Sequence, residues 1–207
     1  GCTVQNSSGS SYTANAVVKT VDAPDATISA HTYVTTGDGS LPASVPTQDN
    51  SSYAWTVTGG TIDGDSDMPS IHYTAGAKGT ATLKCVVTNE AGTTATATKV
   101  VTVLAVPNVT IASADNVTTG KTGLTASVPA QAGCTYSWNL SGGTITSVAT
   151  ATSGQTITYT AGPVATAVLQ VSVTNAAGRT ETGTKLIKIR AVPDASITAY
   201  SPAFAGQ

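Results

Sequence analysis

Two copies of one stretch decide the fold: Tyr53-Ala54-Trp55-Thr56-Val57-Thr58-Gly59-Gly60-Thr61-Ile62 and, 83 residues later, Tyr136-Ser137-Trp138-Asn139-Leu140-Ser141-Gly142-Gly143-Thr144-Ile145. Apolar and polar side chains alternate along both copies, which is the pattern of a half-buried β-strand. The Tyr, the Trp and the Val or Leu then share one face of the strand. Because a fixed spacing between such copies is the mark of a repeat protein, the whole chain is best interpreted as repeats.

Two further segments recur in the same order. Residues 71–76 (IHYTAG) return as residues 157–162 (ITYTAG). Residues 87–92 (VTNEAG) are matched by residues 173–178 (VTNAAG), and residues 4–9 (VQNSSG) form a third copy upstream. The second repeat also carries three extra residues between Ile145 and Ile157, which we expect in a loop.

The repeats predict four parts of the chain, separated by the junction prolines Pro24, Pro107 and Pro193. Residues 1–22 are the C-terminal hairpin of a preceding repeat, and residues 24–105 and 107–191 are two whole repeats. Residues 193–207 are the first strand of a following repeat. The chain is then a stretch of a longer array. The alternative is that both terminal parts complete domains of neighbouring subunits, as in donor-strand exchange.

The predicted fold class is all-β, with each repeat a sandwich of about seven antiparallel strands. Alternation in residues 83–88 and 169–174 places Leu, Cys or Val inward and Lys, Gln, Ser and Thr outward. Turn residues arrive about every 8–12 residues, as in two-sheet sandwiches. The inward aromatic residues are predicted to be core residues: Tyr53, Trp55, Tyr136 and Trp138. A carbohydrate-stacking platform is the alternative for these residues.

The combined frame resembles a known family. Y-x-W-x-[V/L]-x-G-G-x-I, I-x-Y-T-A-G and V-T-N-x-A-G together are similar to bacterial PKD-like and related immunoglobulin-like tandem repeats of large secreted or cell-surface proteins. The resemblance covers nearly the whole chain. It implies an extracellular spacer, stalk or adhesion array, and it implies no catalytic residues.

The junction between the two repeats contains no flexible linker. Residues 99–111 (KVVTVLAVPNVTI) are rich in β-branched residues and contain a proline that restricts its neighbour to extended conformations. We therefore expect semi-rigid modules arranged end to end.

Composition excludes two classes of function. Nine Lys and Arg residues against eleven Asp and Glu residues cannot form a phosphate-binding patch, so nucleic acid is not an expected partner. No apolar run in the sequence approaches the ~20 residues of a membrane-spanning helix. Expected partners are neighbouring copies of the same repeat or subunit, with cell-surface or glycan ligands as further candidates.

The three cysteines are predicted to be small buried apolar residues. Cys2 and Cys85 occupy the same inward position of the repeat, and Cys134 shares the parity of Trp138. Neither complete repeat holds two cysteines, so neither can have an intersheet disulfide. A disulfide between subunits is the alternative.

Calcium is the one candidate cofactor. Asp63, Asp65 and Asp67 alternate as the first ligands of a calcium loop do, but Met68 and Thr74 replace the glycine and the glutamate that such a loop needs. A solvated turn is the alternative. A second acidic group is expected to converge near one junction as a candidate interdomain calcium site: Asp22, Asp25, Asp49 and Glu90.

Five N-x-[S/T] sequons are candidate glycosylation sites: Asn6, Asn50, Asn108, Asn116 and Asn139. The sequence has two histidines and contains no H-E-x-x-H, P-loop or C-x-x-C motif, so it predicts no enzyme.

The sequence therefore predicts a structural or adhesive repeat segment of a long extracellular surface protein or fibre, which acts as a semi-rigid spacer or a filament-building module. The alternative is an accessory binding module of a secreted glycan- or protein-degrading enzyme.

Overall fold

The computed structural model describes residues 1–149, 154–163 and 165–197. The chain divides into two compact units, residues 1–103 and 104–207. The described residues form strands and irregular segments, and none of them lies in a helix long and apolar enough to cross a membrane.

The strands of the first unit, in chain order, are β1 (Cys2–Gln5), β2 (Ser11–Ala14), β3 (Ser29–Ala30), β4 (Tyr33–Thr35), β5 (Leu41–Ser44), β6 (Ser52–Thr58), β7 (Gly60–Ile62), β8 (Ser70–Ala75), β9 (Gly79–Thr88) and β10 (Thr94–Leu104). Strands β1 and β2 pair only with each other and form the N-terminal hairpin. Strands β3 to β10 form two four-stranded sheets with the orders β4-β10-β9-β6 and β3-β5-β8-β7. We call this pair of sheets module 1.

The strands of the second unit are β11 (Ala112–Ser113), β12 (Asn116–Thr118), β13 (Leu124–Ser127), β14 (Thr135–Ser141), β15 (Gly143–Val148), β16 (Thr156–Ala161), β17 (Ala165–Thr174) and β18 (Thr180–Arg190). They form module 2, whose sheets β12-β18-β17-β14 and β11-β13-β16-β15 repeat the strand order of module 1. Both modules are immunoglobulin-like sandwiches, which confirms the predicted fold class.

Each module has eight strand segments where the sequence predicted about seven, because its first strand divides between the two sheets. In module 2, β11 pairs antiparallel with β13 in one sheet, and β12 pairs parallel with β18 in the other. At the crossing point the carbonyl of Asp115 accepts a hydrogen bond from the amide of Lys188 at 2.9 Å. The first strand therefore contributes to both sheets of the sandwich.

The core of each module lies between its two sheets. Leu83, Cys85 and Val87 on β9 are fully buried, and Tyr73 on β8 faces them from the other sheet. Module 2 repeats the arrangement with the buried β17 residues of the same register and with Tyr159 on β16. Alternation along β9 and β17 thus places every second side chain in the core, as strand geometry requires.

The two predicted core tryptophans differ in burial. Trp55 on β6 is 4% exposed, whereas Trp138 on β14 is half-buried and packs against the core of module 2. Each indole N–H donates to a backbone carbonyl, of Met68 at 2.9 Å and of Gly154 at 2.8 Å respectively. Both indoles therefore combine apolar packing with a satisfied hydrogen bond.

A buried tyrosine hydroxyl stands without a hydrogen-bond partner at the same place in each module. The side chains of Tyr73 and Tyr159 are 0% and 1% exposed, and neither hydroxyl has a partner among the described residues. A buried unpaired hydroxyl loses its bonds to water without replacing them. These two hydroxyls therefore oppose folding, while the rings support it.

We expect Tyr73→Phe to leave the free energy of unfolding unchanged or to raise it by up to about 1 kcal/mol, because it removes the unpaired hydroxyl and keeps the ring. The matched control is Tyr53→Phe. The Tyr53 hydroxyl accepts a hydrogen bond from the amide of Gln48 at 2.7 Å, so its loss should cost about 1 kcal/mol. Urea unfolding measures both, and a greater loss for Tyr73→Phe than for Tyr53→Phe would contradict this assignment.

The same pair of tyrosines predicts the alkaline behaviour of the chain. Burial raises the pKa of Tyr73 and of Tyr159 above the ordinary value. A raised pKa means that the folded state favours the neutral phenol, so the contribution to stability is complete below the unfolded pKa of about 10 and is lost as pH rises through the folded pKa. The double variant with Phe at both positions should resist alkaline unfolding to a higher pH than the wild-type chain.

Candidate functional site

The three carboxylates of the predicted calcium loop are not brought together. Asp63 accepts hydrogen bonds from the Thr74 hydroxyl at 3.0 Å and from the amide of Ser40 at 3.3 Å. Asp65 and Asp67 are exposed. In the part of the chain that the structure describes, no group of three or more His, Cys, Asp or Glu residues could hold a metal ion.

The acidic loop instead covers the free edge of β6. The carbonyl of Ser66 accepts a hydrogen bond from the amide of Trp55 at 2.9 Å, and the carbonyl of Met68 receives the Trp55 indole N–H. Charged residues beside an edge strand discourage pairing with another chain. The loop that carries Asp65 and Asp67 therefore has a structural role at the edge of β6, and calcium binding stays a prediction.

Chelation provides the corresponding prediction. Because the loop is held by its own backbone and by Thr74, we expect EDTA to leave the melting temperature of the folded chain unchanged, and added calcium to leave it unchanged as well. Differential scanning calorimetry checks this with chelator in excess over total calcium, and separately with calcium at about 10 mM, which exceeds the Kd of extracellular calcium modules. A lower melting temperature in chelator would contradict this expectation and support the calcium prediction.

Three of the four acidic residues expected near one junction do line a common groove. The groove, of about 380 Å³, lies in the first unit and includes Asp22, Asp49 and Glu90. Its wall also carries Lys19, which forms an ion pair with Glu90. Asp25 lies outside the groove.

Asp25 has a local structural role. Its carboxylate accepts a hydrogen bond from the amide of Thr27 at 2.8 Å. Hydrogen bonds from the side chain and the backbone of Thr27 lower the pKa of Asp25. The carboxylate therefore shapes the turn that starts module 1.

The acidic groove is not a property of the repeat. Module 2 has alanine at each position that corresponds to Asp22, Asp49 and Glu90, namely Ala105, Ala132 and Ala176. The end of module 2 therefore lacks the charges that line this groove in module 1.

One cysteine is not buried, which corrects the sequence prediction. Cys85 is fully buried and Cys134 is half-buried, and burial raises the pKa of both thiols. Cys2 is exposed, because the hairpin that carries it is packed against no second sheet among the described residues. All three are free thiols.

All five sequon asparagines are exposed. Three use the side-chain oxygen as an acceptor: Asn6 accepts from the amides of Ser8 and Ser10, Asn108 accepts from the amide of Thr110 at 2.9 Å, and Asn116 accepts from the Arg190 guanidinium at 3.3 Å. Asn50 adopts a left-handed conformation (φ 51°) beside the acidic groove. Asn139 projects from the outer face of β14. Glycosylation stays a prediction at each of them.

The outer face of the β12-β18-β17-β14 sheet carries mainly hydroxyl, amide and aliphatic side chains, with Lys188 and Arg190 exposed at one end of β18. Hydroxyl side chains of β17 and β18 bond across the strands, Thr174 to Thr180 at 2.7 Å and Ser172 to Thr182 at 3.2 Å. Leu186 is 66% exposed on this face. Such a face opposes contact with an uncharged surface only weakly, because it offers little electrostatic repulsion.

The most regular polar feature of both modules is a buried asparagine that sequence reasoning missed. Asn89 and Asn175 are 8% and 6% exposed. The side-chain oxygen of Asn89 accepts from the amides of Ala91 and Thr93, and its side-chain N–H donates to the carbonyl of Asp22 at 2.9 Å. The residue thus joins the β9–β10 turn to the chain that enters the module.

Asn175 repeats this arrangement in module 2. Its side-chain oxygen accepts from the amides of Ala177 and Arg179, and its side-chain N–H donates to the carbonyl of Ala105 at 3.2 Å. Asn89 and Asn175 could have been recognised from the sequence, because both occupy the same position of the V-T-N-x-A-G segment. Several residue types fit such a turn, but only a side-chain amide can accept two of these hydrogen bonds and donate the third.

A glutamine holds the same incoming chain at a second point. The side chain of Gln48 accepts from the amide of Asp25 at 2.8 Å and donates to the carbonyl of Asp25 at 2.7 Å. Gln131 makes the same two bonds with Asn108, at 2.6 Å and 2.8 Å. Each module therefore fixes its own incoming chain through one asparagine and one glutamine.

We expect Asn175→Ala to lower the free energy of unfolding of module 2 by about 1–3 kcal/mol, because the backbone groups that it satisfies lie in a partly buried turn. The matched control is Ala176→Ser at the adjacent exposed position, which should change stability by less than about 0.5 kcal/mol. Urea unfolding of both variants measures the difference. Equal stabilities would show that the three bonds contribute nothing.

Comparison with known proteins extends these observations. No curated protein is similar enough in sequence to count as a relative. Two solved structures are similar to this chain. A protocadherin gammaB7 EC3-6 cis-dimer structure has 10% sequence identity and a TM-score of 0.36, and the match covers 82% of this chain and 47% of that chain. The Bacteroides ovatus mixed-linkage glucan utilization locus SGBP-B, in complex with a mixed-linkage heptasaccharide, has 17% identity and a TM-score of 0.26, and the match covers 78% of this chain and 43% of that chain.

The chain spans less than half the length of either structure, and TM-scores below 0.5 support no inference about ligands. The sequence family is more informative. Residues 104–187 match the family model of the PKD-like domain, and this range contains β11 to β17 and most of β18. Module 1 has the same strand order and the same sequence frame. Residues 104–187 are therefore similar to the PKD-like domain family, in line with the resemblance of the repeat frame.

Proposed function

We propose that the chain is a structural and adhesive repeat segment of a long extracellular surface protein or fibre, in which each module acts as a semi-rigid spacer or filament-building unit. The match of residues 104–187 to the PKD-like family supports an immunoglobulin-like repeat or binding module of a type that is typically extracellular.

The observation that carries the proposal is the duplicated fixation of the incoming chain. Asn89 with Gln48, and Asn175 with Gln131, hold the backbone just before and just after each junction proline through the same atoms. A tethered binding domain gains little from such fixation, whereas a spacer needs each module to take a defined direction from its own start. The repetition of these asparagine and glutamine contacts in both modules thus favours the role of a spacer.

The distribution of chemistry in the described residues also supports this role. Among the described residues, no cluster of His, Cys, Asp or Glu could hold a metal ion, and the groove lined by Asp22, Asp49 and Glu90 in module 1 has alanines at the corresponding positions of module 2. The two modules share the same core arrangement, one asparagine and one glutamine that hold the incoming chain, and outer faces rich in hydroxyl side chains. Repeated structure without a repeated site favours a role in length and surface contact, with neighbouring copies of the same repeat as the proposed partners.

One observation favours the accessory binding module as a second candidate. The groove lined by Asp22, Asp49, Glu90 and Lys19 occurs in module 1 and has alanines in its place in module 2. A binding site confined to one module is what an accessory domain of a secreted enzyme would need. Glycans and peptides with basic groups are the ligands that such a groove fits.

The experiment that separates the two candidates is a peptide map of the native polypeptide, captured from its source with an antibody against the 207-residue chain. The proposal expects flanking peptides that contain further copies of the Tyr-x-Trp-x-x-x-Gly-Gly frame. Flanking peptides from a hydrolase domain would overturn it in favour of the accessory module.

A further inference from the structure

The N-terminal hairpin exposes a face that is apolar throughout. Strands β1 and β2 pair in the register Cys2↔Ala14 and Val4↔Tyr12, so these four side chains lie on one face. Every residue of both strands is exposed, with Val4 at 66% and Tyr12 at 77%. A two-stranded hairpin with an uncovered apolar face is marginally stable in water.

The same face is buried in module 1. Strands β9 and β10 pair Cys85 with Ala97 and Val87 with Ala95. Cys85 and Val87 are 0% exposed, and the two alanines pack against the core cluster that includes residues of the opposite sheet. The hairpin thus presents Cys, Val and Ala in the register in which module 1 buries them, with Tyr12 in place of the second alanine.

The turn of the hairpin is also the turn of a complete module. The side-chain oxygen of Asn6 accepts from the amides of Ser8 and Ser10, both at 3.0 Å, as the oxygen of Asn89 does in the β9–β10 turn. Gly9 and Gly92 close the two turns with φ of 88° and 80°. The backbone bonds around the two asparagines match as well, Asn6 with Ser10 and Asn89 with Thr93.

One bond of the module turn has no counterpart in the hairpin. The side-chain N–H groups of Asn89 and Asn175 donate to the carbonyl of the incoming chain. The N–H group of Asn6 meets no such carbonyl among the residues that the structure describes. The hairpin therefore lacks both the sheet and the incoming chain that a module turn contacts.

The spacing along the chain indicates which polypeptide supplies the sheet and the incoming chain that the hairpin lacks. The next junction proline is the eighteenth residue after the turn asparagine in all three copies: Asn6 and Pro24, Asn89 and Pro107, Asn175 and Pro193. Along the chain, the hairpin thus precedes the start of module 1 by the same number of residues as the β9–β10 hairpin precedes the start of module 2. This constant spacing favours an origin in the same polypeptide over docking by an unrelated partner.

We propose that the N-terminal hairpin is the closing hairpin of a third PKD-like module and docks on the rest of that module, carried by the same polypeptide. This proposal rests on the proposed repeat array, and it identifies what covers the apolar face of the hairpin. The partner is an apolar sheet equivalent to β3-β5-β8-β7, together with an incoming chain whose carbonyl accepts from the Asn6 amide. In that state Cys2, Val4 and Tyr12 are buried, and the Asn6 amide is engaged in place of a glycan.

The first test exchanges hairpins within the 207-residue chain. Residues 85–97 are replaced by residues 2–14, thirteen for thirteen, so that the N-terminal hairpin sequence must close module 1. We expect module 1 to keep its unfolding transition and the transplanted Cys to stay protected from a thiol reagent. A second graft that retains alanine at the position of Tyr12 removes any effect of the larger ring.

A matched control graft carries aspartate in place of the transplanted Val4 and should lose the module 1 transition. If both uncharged grafts unfold module 1 as the aspartate graft does, the assignment of the hairpin is wrong. This outcome does not depend on which domains flank the native chain, so it is distinct from a failure of the proposed function.

The second test completes the third module. Residues 24–84 are placed directly before Cys2, which rebuilds the order of strands that precedes the closing hairpin in module 1. We expect labelling of Cys2 by a thiol reagent to slow by more than about tenfold relative to the chain without the extension, because a cysteine in a core reacts only when the structure opens. The extended chain should remain monomeric.

Unchanged labelling of Cys2 in the extended chain would overturn the proposal. Protection of Cys2 in the original chain that rises with protein concentration, with a dimer in sedimentation, would also overturn it, because a second copy would then be the occupant of this face.

Discussion

Replacing Gly59 with alanine is expected to unfold module 1 or to lower its free energy of unfolding by about 2–5 kcal/mol, because two penalties act at one residue. Gly59 has a φ of 78°, which side-chain-bearing residues adopt at a cost. A methyl group there would also lie 2.3 Å from the carbonyl oxygen of Thr80. That oxygen belongs to the backbone of β9 and cannot move away without disturbing the sheet.

The close approach has a structural reason. At Gly59 and Gly60 the chain leaves the sheet of β6 and enters the sheet of β7, and the carbonyl of Gly59 accepts a hydrogen bond from the amide of Gly76 at 2.9 Å. Gly142, Gly143 and Gly162 form the same contact in module 2. The paired glycines of the repeat therefore allow backbone to pass against backbone where the strand changes sheets.

The control for this prediction is Gly92→Ala. Gly92 has a φ of 80°, but a methyl group added there would have no atom within 4 Å, so the substitution carries the conformational penalty alone, about 1 kcal/mol. Urea unfolding followed by circular dichroism compares the two variants. Equal losses at Gly59 and Gly92 would show that the backbone contact contributes nothing.

The second large effect is expected for Trp55→Ala, which should lower the free energy of unfolding of module 1 by about 3–5 kcal/mol. The indole is 4% exposed, and its removal would leave a cavity and an unpaired carbonyl at Met68. The core clusters of the two modules share no residue. The unfolding transition of module 2 should therefore persist when that of module 1 is lost.

Two variants make the interpretation of Trp55→Ala specific. Trp138→Ala in module 2 should cost less, because Trp138 is only half-buried. Trp55→Phe keeps an aromatic ring but removes the bond to Met68, so it should fall between the wild-type chain and Trp55→Ala. Calorimetry that resolves two transitions measures all three. A simultaneous shift of both transitions by Trp55→Ala would contradict separate cores.

The sandwich fold could be predicted because its signals are local and repeated. Alternation along residues 83–88 and the inward parity of Trp55 depend only on strand geometry, and duplication of the frame excludes chance. The division of the first strand between two sheets could not be predicted in the same way. It depends on which partner strand each half meets, at Ser113 and Asn116 in module 2, and that is a tertiary property.

The polar sites were less predictable, for a physical reason. The sequence places Asp63, Asp65 and Asp67 at ligand-like spacing, but the chain between them turns to cover the edge of β6 and the carboxylates do not converge. Asn89 and Gln48 carry the recurrent polar contacts, and their partners lie 67 and 23 residues away along the chain. Spacing within one segment carries no information about such partners.

The exposure of Cys2 has the same explanation. Cys2 does lie on the face of its strand that corresponds to the face of Cys85, since both occupy equivalent positions of a paired strand. Burial, however, requires a second sheet, and the hairpin has none among the described residues. Parity predicts which face a residue occupies, whereas exposure depends on what covers that face.

The central claim is that this chain is a repeat unit of an extracellular structure, and immunogold electron microscopy of intact source cells tests it most directly. The label would be an antibody raised against the 207-residue chain. The account predicts gold particles along fibres or a surface layer outside the cells. Cells without surface label, with the antigen recovered in the soluble secreted fraction together with hydrolase activity, would contradict it.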